Sequence, residues 1–123
     1  MIEMYKMKFE QEGYEVVPAP DGETGIEALK NQSFDLLLID LVLPGVDGYA
    51  VLKAAKKNPK NKKAKMYILS NLGQSSEVKK AFEKGADGYF VKADLTPSEL
   101  EKGVEDIFKG KAVGKRPEDL VKE

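Results

Sequence analysis

Three residues of this 123-residue chain could together carry out phosphoryl chemistry: Asp40, Ser70 and Lys92. A carboxylate can attack phosphorus and form an acyl phosphate. A hydroxyl can donate a hydrogen bond to a phosphoryl oxygen, and an ammonium can neutralise the charge that develops there. Each residue directly follows a short apolar run, and these runs are residues 36–39, 66–69 and 89–91. The residue types and their positions therefore predict a site for phosphoryl transfer.

The apolar runs predict the strands of one parallel β-sheet. Residues 36–39 are apolar without a break, which is typical of a strand covered by helices on both faces. Predicted helices alternate with the strands, over residues 1–12, around Ile26, and over residues 48–57, 77–84 and 97–108. This order predicts an α/β fold, in which the carboxyl ends of parallel strands share one edge. Singly, Asp40, Ser70 and Lys92 could be a turn residue, a loop hydroxyl and a solvated amine, but at one edge they favour a shared site.

Two further patterns predict local structure. Residues 14–19 are predicted to form a strand, and Pro18 places it near an edge or a strand end. Two pairs of residues have the spacing of a capping box, which predicts a helix start at each: Thr24 with Glu27, and Thr96 with Glu99.

Composition excludes several classes of site. The chain has no Cys and no His, which excludes disulfides, thiolate metal sites and serine–histidine or cysteine–histidine nucleophile pairs. Its formal charge of −1 gives no electrostatic reason to expect nucleic acid. No apolar run approaches the ~20 residues of a membrane span and no signal peptide opens the chain, so we expect a cytoplasmic protein without membrane contact. One domain is expected over residues 1–110, followed by a polar tail over residues 111–123.

Seven lysines lie between Lys53 and Lys65. A phosphate-binding patch would have aromatic residues between its lysines or a glycine-rich loop beside them, and this segment has neither. Acidic residues elsewhere in the chain balance the positive charge. The sequence therefore favours a solvated helix end and loop in this segment.

Four segments of the chain carry a family resemblance, and they are residues 13–16, 34–40, 43–48 and 85–92. Ser70 lies 30 residues after Asp40, and Lys92 lies 22 residues after Ser70. In these motifs and spacings, from Met1 to about Phe108, the chain resembles the receiver domain of two-component response regulators. That family has the flavodoxin-like fold, a doubly wound parallel sheet.

The resemblance implies a role for each site residue. Asp40 would be the phosphoacceptor, Ser70 the switch hydroxyl, Lys92 the lysine that contacts the phosphoryl group, and Tyr89 the aromatic side chain that rotates. A divalent cation, usually Mg²⁺, would be held partly by Asp40 and the backbone carbonyl of Val42. A sensor histidine kinase or a phosphotransfer protein would supply the phosphoryl group, and a downstream protein would bind near Tyr89. The only catalysis implied is the chain's own phosphotransfer, so it would not otherwise be an enzyme.

Ala93 departs from the family pattern, because the family usually has a proline joined to the lysine by a cis peptide bond. A cis bond costs about 2.5–4 kcal/mol before a non-proline residue and about 0.5–1 kcal/mol before proline. We therefore expect a trans bond between Lys92 and Ala93, with some change in the direction of the lysine side chain.

A larger departure lies at the front of the chain. The family begins with an apolar strand that ends in two acidic metal ligands, and by spacing this pair would lie upstream of Met1. In the family's strand order, 2-1-3-4-5, the missing strand is central and lies between the strands at Val16 and Leu37. We therefore expect a sheet without its central strand, no acidic pair, weak Mg²⁺ binding and a tendency to self-associate.

Three explanations of this departure stay open at the level of sequence. The chain could be a shortened product of a normal receiver. It could be a variant that pairs its strands in the order 2-3-4-5 or borrows a strand from another chain. It could also be a more radically rebuilt fold.

Alternative functions follow from the same residues. The main alternative is an interaction module that keeps the receiver scaffold without phosphorylation. An aspartate-nucleophile phosphatase of the haloacid dehalogenase kind is a weaker one, because Val42 stands where it needs a second Asp. A flavodoxin-type flavin binder would need a Ser/Thr/Gly phosphate loop after its first strand, and the sequence has no such loop.

Overall fold

The computed structural model describes residues 2–111 and 113–114 of the chain. Helices and strands alternate from the second helix onwards, in the order α1 Ile2–Gln11, α2 Gly22–Asn31, β1 Leu36–Ile39, α3 Gly48–Lys57, β2 Lys65–Ser70, α4 Ser75–Glu83, β3 Gly88–Val91 and α5 Pro97–Phe108. Two short 3₁₀ turns, Pro59–Asn61 and Lys92–Asp94, precede β2 and follow β3. The predicted α/β fold class is confirmed.

The three strands form one parallel sheet with β2 in the middle. Ile39 pairs with Ile68, and Ser70 pairs with Val91. β2 therefore extends two residues past the end of β1 and ends level with β3, and the residues that follow the three strands share one edge of the sheet.

Alternate side chains of β2 enter two separate apolar cores. Met66 and Ile68 are fully buried on one face, among side chains of α2, α3 and α4. Tyr67 and Leu69 are buried on the other face, among side chains of α1 and α5. Burial on both faces is the reason why the strand residues are continuously apolar.

The strand predicted over residues 14–19 is wrong, since the structure assigns no strand there. The Tyr14 N–H instead donates to the carbonyl of Phe9 at 3.1 Å, which turns the chain back against the end of α1. A strand needs a neighbour, and within the described residues β1 pairs with β2 alone. The strand order 2-3-4-5 is therefore not formed either.

The other side of β1 has no strand beside it in the part of the chain that is described. Leu36, Leu37 and Leu38 are half-buried, whereas residues 66–69 of β2 are all buried. β1 is thus an outer strand with the sequence of an inner one.

The two predicted capping boxes had different outcomes. At the start of α5 the box is formed: the Thr96 hydroxyl accepts the Glu99 N–H at 3.1 Å, and the Glu99 carboxylate accepts the Thr96 N–H at 2.9 Å. α2 instead begins at Gly22, because Asp21 accepts the Thr24 N–H at 2.7 Å and caps the helix. Thr24 therefore lies inside the first turn of α2.

The start of α3 holds the loop that carries Asp40. The Gly48 N–H donates to the Leu41 carbonyl at 3.2 Å, and a Cβ on Gly48 would lie 2.1 Å from the Asp40 carbonyl oxygen. Asp47 caps this helix by accepting the Ala50 N–H at 3.0 Å. Only glycine fits at position 48 without moving the backbone of Asp40.

Asn61 fixes the chain just before β1. Its side chain is fully buried. The Oδ1 atom accepts the Phe34 N–H at 2.7 Å, and the Nδ2 atom donates to the carbonyls of Leu29 and Gln32, both at 2.9 Å. One side chain therefore joins the end of α2 to the start of β1.

Only a small part of the predicted tail is described. Val113 packs half-buried beside the core under α1 and α5, and Gly114 lies close to the carbonyl of Tyr89. Residue 112 and residues 115–123 lie outside the described part, so the domain boundary at residue 110 stays a prediction. Across the helices that are described, none is long and apolar enough to cross a membrane.

Candidate functional site

Lys92 and Asp40 meet at the carboxyl edge of the sheet. The Lys92 ammonium lies 2.6 Å from Oδ2 of Asp40, although β2 separates the two strands that carry them. The side chains of Lys92 and Asp40 are 23% and 27% exposed. The ion pair is therefore partly covered by protein and still open to a small molecule or a partner's side chain.

The second carboxylate oxygen of Asp40 is bound by the backbone. The Val42 N–H donates to Oδ1 at 3.1 Å. One oxygen thus has a charged donor and the other a neutral one, which fixes the orientation of the carboxylate. Val42 itself is 67% exposed, at the outside of this loop.

Lys92 reaches Asp40 from the first residue of a 3₁₀ turn. The Leu95 N–H closes that turn on the Lys92 carbonyl at 3.2 Å. No peptide bond between described residues is cis, so the bond between Lys92 and Ala93 is trans, as predicted. A trans bond therefore does not prevent the lysine from contacting the carboxylate.

Ser70 ends the middle strand and is almost completely buried, with 1% of its surface exposed. Its Oγ atom accepts the Leu72 N–H at 3.2 Å. In the described part of the chain it forms no hydrogen bond with Asp40 or Lys92. The structure therefore brings Asp40 and Lys92 into contact and places Ser70 on the strand end between them, turned to its own loop.

Tyr89 binds the same loop residue as Ser70. Its ring is fully buried, and its hydroxyl donates to the carbonyl of Leu72. Burial raises the pKa of Tyr89 to about 12, and the negative charge of Glu77 acts in the same direction, while the Ser70 hydroxyl acts against it. The phenol is therefore a hydrogen-bond donor at neutral pH, and Ser70 and Tyr89 together hold both backbone groups of Leu72.

Tyr49 and Glu77 form a contact that sequence reasoning missed. The Tyr49 hydroxyl donates to Oε2 of Glu77 at 2.7 Å, which joins the start of α3 to the first turn of α4. Burial and this hydrogen bond both raise the pKa of Tyr49. The two residues are 28 positions apart, and no spacing rule for helices or strands connects them.

The described residues do not form a complete site for Mg²⁺. No three Asp, Glu, His or Cys side chains come together among residues 2–111 and 113–114. At the strand ends Asp40 is the carboxylate that a cation would use, and its two oxygens are occupied by Lys92 and the Val42 N–H. Mg²⁺ demands octahedral coordination by oxygen, so the residues present do not fit this ion without further ligands.

Comparison with known proteins links this arrangement to one family. Residues 1–105 match the profile of the response regulator receiver domain. A probable chemotaxis protein CheY from Rhizobium etli is 31% identical over 94 residues, which make up 76% of this chain and 72% of that protein.

Solved structures share the fold. The receiver domain of a Francisella response regulator is 28% identical, with a TM-score of 0.76, and the match covers 88% of this chain and 87% of that one. The receiver domain of the sensor histidine kinase PA1611 from Pseudomonas aeruginosa, solved with a magnesium ion coordinated in its active-site cleft, has a TM-score of 0.72 at 21% identity, over 85% of this chain and 83% of that one. The flavodoxin-like fold expected from the resemblance is confirmed.

The chain spans a minor part of other curated relatives. It covers 12%, 27% and 39% of the length of three longer proteins that it matches. The profile match, in contrast, extends over most of this chain and includes Asp40, Ser70, Tyr89 and Lys92. The chain belongs to the response regulator receiver domain family.

Proposed function

We propose that this chain is the phosphoacceptor module of a two-component phosphorelay and that Asp40 is the residue phosphorylated. The contact between the Lys92 ammonium and the Asp40 carboxylate is the observation that supports this most directly. It puts a nucleophile beside the positive charge that a transferred phosphoryl group requires. Membership of the receiver family supports the same role.

In the proposed reaction an oxygen of Asp40 attacks the phosphorus of a phosphohistidine or a small phosphoramidate. An O–P bond forms and the N–P bond breaks, and the nitrogen leaves with the electron pair and takes up a proton from water. Lys92 releases Oδ2 and turns to an oxygen of the phosphoryl group, where its charge is again neutralised. The Val42 N–H keeps the carboxylate oriented during the attack.

Ser70 and Tyr89 would convert this event into a structural change. A phosphoryl group on Asp40 offers the Ser70 O–H a charged acceptor, and a turn of the side chain towards it would break the present bond in which Oγ accepts the Leu72 N–H. Because Tyr89 binds the carbonyl of Leu72, a shift of that residue changes the position of the ring. We propose that this coupled movement is the switch.

We further propose that the chain binds Mg²⁺, but only weakly. Asp40 and the backbone carbonyl of Val42 are the groups that this chain would contribute, and a bound cation would neutralise charge on the phosphoryl oxygens. Because Asp40 is the one carboxylate that the described residues bring to Lys92 at the strand ends, we propose that Mg²⁺ binds weakly, and no step above depends on it.

We also propose the partners of this reaction, the part of the chain that carries it and its location in the cell. A sensor histidine kinase or phosphotransfer protein would be the donor, and the signal would pass to a downstream protein. The formal charge of −1 supports a protein partner rather than nucleic acid. We place the activity in residues 1–110, with a polar tail over residues 111–123, and in the cytoplasm, and we assign no catalysis beyond the phosphotransfer to the chain itself.

Phosphorylation by radiolabelled phosphoramidate in the presence of Mg²⁺ tests the assignment. We expect acid-stable, alkali-labile label on the wild type and none on Asp40→Asn. Asp35→Asn is the matched control, because Asp35 is an exposed aspartate just before the other end of β1. Label that persists on Asp40→Asn would refute the role of Asp40.

The same experiment separates the alternative functions. A module that works without phosphorylation would take up no label and would not bind beryllofluoride at Asp40. A phosphatase would release phosphate repeatedly from a supplied ester, whereas the proposed receiver takes up about one phosphoryl group per chain.

A further inference from the structure

A basic groove lies between α3 and α4 and shares no residue with the site at Asp40. Its volume is about 300 Å³. Six residues line it: Tyr49, Ala50, Lys53, Lys56, Lys57 and Lys84. Four of the six are lysines, so the groove is strongly positive.

Lys80 adds a fifth ammonium beside the groove. Its Nζ atom lies 4.5 Å from the centre of the Tyr49 ring, and the Nζ atom of Lys84 lies 5.8 Å from the same point. The face of an aromatic ring attracts cations at such distances. Tyr49 therefore draws two lysines of the α4 segment towards the three lysines of α3.

None of the five lysines has a carboxylate partner among the residues that are described. The acidic side chain of Glu77 lies nearby, but it accepts the hydrogen bond of the Tyr49 hydroxyl. On α5 the situation is the opposite, because Lys102 and Lys109 pair with acidic residues one turn away. Ammonium groups without an ion-pair partner are thus concentrated at the groove, although the whole chain carries a formal charge of −1.

The preference of lysines for the C-terminal ends of helices explains only part of this cluster. Lys56 and Lys57 lie in the last turn of α3, and Lys84 caps α4, where lysines interact favourably with the helix dipole. That preference does not require the two helix ends to face each other across one aromatic ring. It also does not account for Lys53, which lies in the middle of α3.

We propose that this groove binds an acidic segment of a partner protein, whose carboxylates contact the lysines around Tyr49. Complementary charge of this kind raises the association rate and selects the partner. A nucleic acid is a poorer occupant, because Tyr49 is the single aromatic residue in the lining and successive bases would have no rings to stack on. The proposal goes beyond the sequence interpretation of a solvated lysine segment, because it gives Lys53, Lys56 and Lys57 a binding role.

Fluorescence anisotropy of a labelled decaglutamate peptide tests the proposal on the unphosphorylated chain. The triple variant Lys53→Gln/Lys57→Gln/Lys84→Gln should bind the peptide about tenfold more weakly than the wild type, since each exposed ion pair contributes a little and three are removed. The matched control is Lys62→Gln/Lys63→Gln/Lys65→Gln, which removes the same charge from exposed lysines outside the groove. It should change the affinity by less than about twofold.

A second measurement does not depend on variants. In the wild type, the peptide should shift the NMR signals of the Tyr49, Lys53 and Lys84 amides and leave that of Asp40 unchanged. Equal loss of affinity in both triple variants would overturn the proposal, because the attraction would then be unspecific. So would the absence of peptide binding, or tighter binding of a single-stranded oligonucleotide of matched charge. None of these outcomes depends on whether Asp40 accepts a phosphoryl group.

Discussion

The hydroxyl of Tyr89 donates a hydrogen bond to the carbonyl of Leu72, the residue whose N–H is bound by Ser70. Replacing Tyr89 with Phe keeps the buried ring and leaves this carbonyl without its donor. We expect Tyr89→Phe to lower the free energy of unfolding by about 1–2 kcal/mol, measured by urea denaturation. Tyr5→Phe is the control, because Tyr5 is half-buried and its hydroxyl forms no hydrogen bond in the described structure. An equal loss in the control would contradict the role of the bond.

The raised pKa of Tyr89 predicts a loss of stability in alkali. Burial raises this pKa from 10.0 to about 12 in the folded chain, so the unfolded chain loses the phenol proton first as the pH rises. The contribution is therefore constant below about pH 10 and falls between about pH 10 and pH 12, by about 1.4 kcal/mol per pH unit. The difference in unfolding free energy between wild type and Tyr89→Phe isolates the contribution of the Tyr89 phenol, because the lysines titrate in both proteins and cancel. A difference that does not change with pH would contradict the prediction.

Lys92 should affect phosphorylation far more than stability. Because its ammonium is the charged donor to Asp40, Lys92→Gln is expected to slow labelling by phosphoramidate about 10²-fold. The pair is about a quarter exposed, so the free energy of unfolding should change by less than about 1 kcal/mol. Lys62→Gln, at an exposed position before the opposite end of β2, should label at the rate of the wild type. Equal rates in all three proteins would remove Lys92 from the mechanism.

Asn61 is expected to be among the most sensitive positions in the fold. Asn61→Ala removes three hydrogen bonds and takes this partner from the Phe34 N–H and the Gln32 carbonyl, whereas the Leu29 carbonyl keeps its bond from Asn58. We expect the free energy of unfolding to fall by about 3 kcal/mol, as measured in urea. Asn31→Ala, at an exposed position, should change it by less than about 0.5 kcal/mol. A small effect at Asn61 would mean that water replaces the side chain.

The open side of β1 predicts the effect of an added strand. An apolar strand ending in two acidic residues, fused ahead of residue 1, should pair with β1 and cover Leu36, Leu37 and Leu38. We expect the melting temperature to rise by at least about 5 °C and Mg²⁺ to bind more tightly. Sedimentation should show a monomer, and a fusion of equal length with a polar sequence is the control. The prediction fails if the chain without the fusion is already monomeric, equally stable and equally able to bind Mg²⁺.

The three strands and the contact between Asp40 and Lys92 at their ends were predictable because their signals are local. Each strand is a short apolar run, and each run ends in a residue with an ionised or hydroxyl side chain. Parallel order then places Asp40 and Lys92 at one edge, which is why a contact across 52 positions could be expected from topology alone. The capping box at Thr96 is equally local, and it forms as predicted.

The features that could not be predicted depend on partners distant in sequence. Residues 14–19 have the composition of a strand, but pairing requires a neighbouring strand that the described residues do not supply. Asp21 rather than Thr24 caps α2, and the first residue of that helix, Gly22, lies directly against the backbone of Val46, which is distant in sequence. The bond between Tyr49 and Glu77 arises where two helices meet, and no periodicity of the sequence encodes it.

The strands differ in burial and in hydrogen bonding to neighbouring strands, and this difference has a kinetic consequence. β2 is hydrogen-bonded on both sides and buried, whereas β1 is bonded on one side and its leucines are half-exposed. Native-state hydrogen exchange should therefore be slowest in β2 and fastest in β1, because weakly covered segments open without global unfolding. Asp40 is attached to the strand that opens first, while Ser70 ends the strand that opens last. The lifetime of the assembled site is thus set by the local opening of β1, and a partner that closes over this strand would lengthen it without touching the reacting atoms.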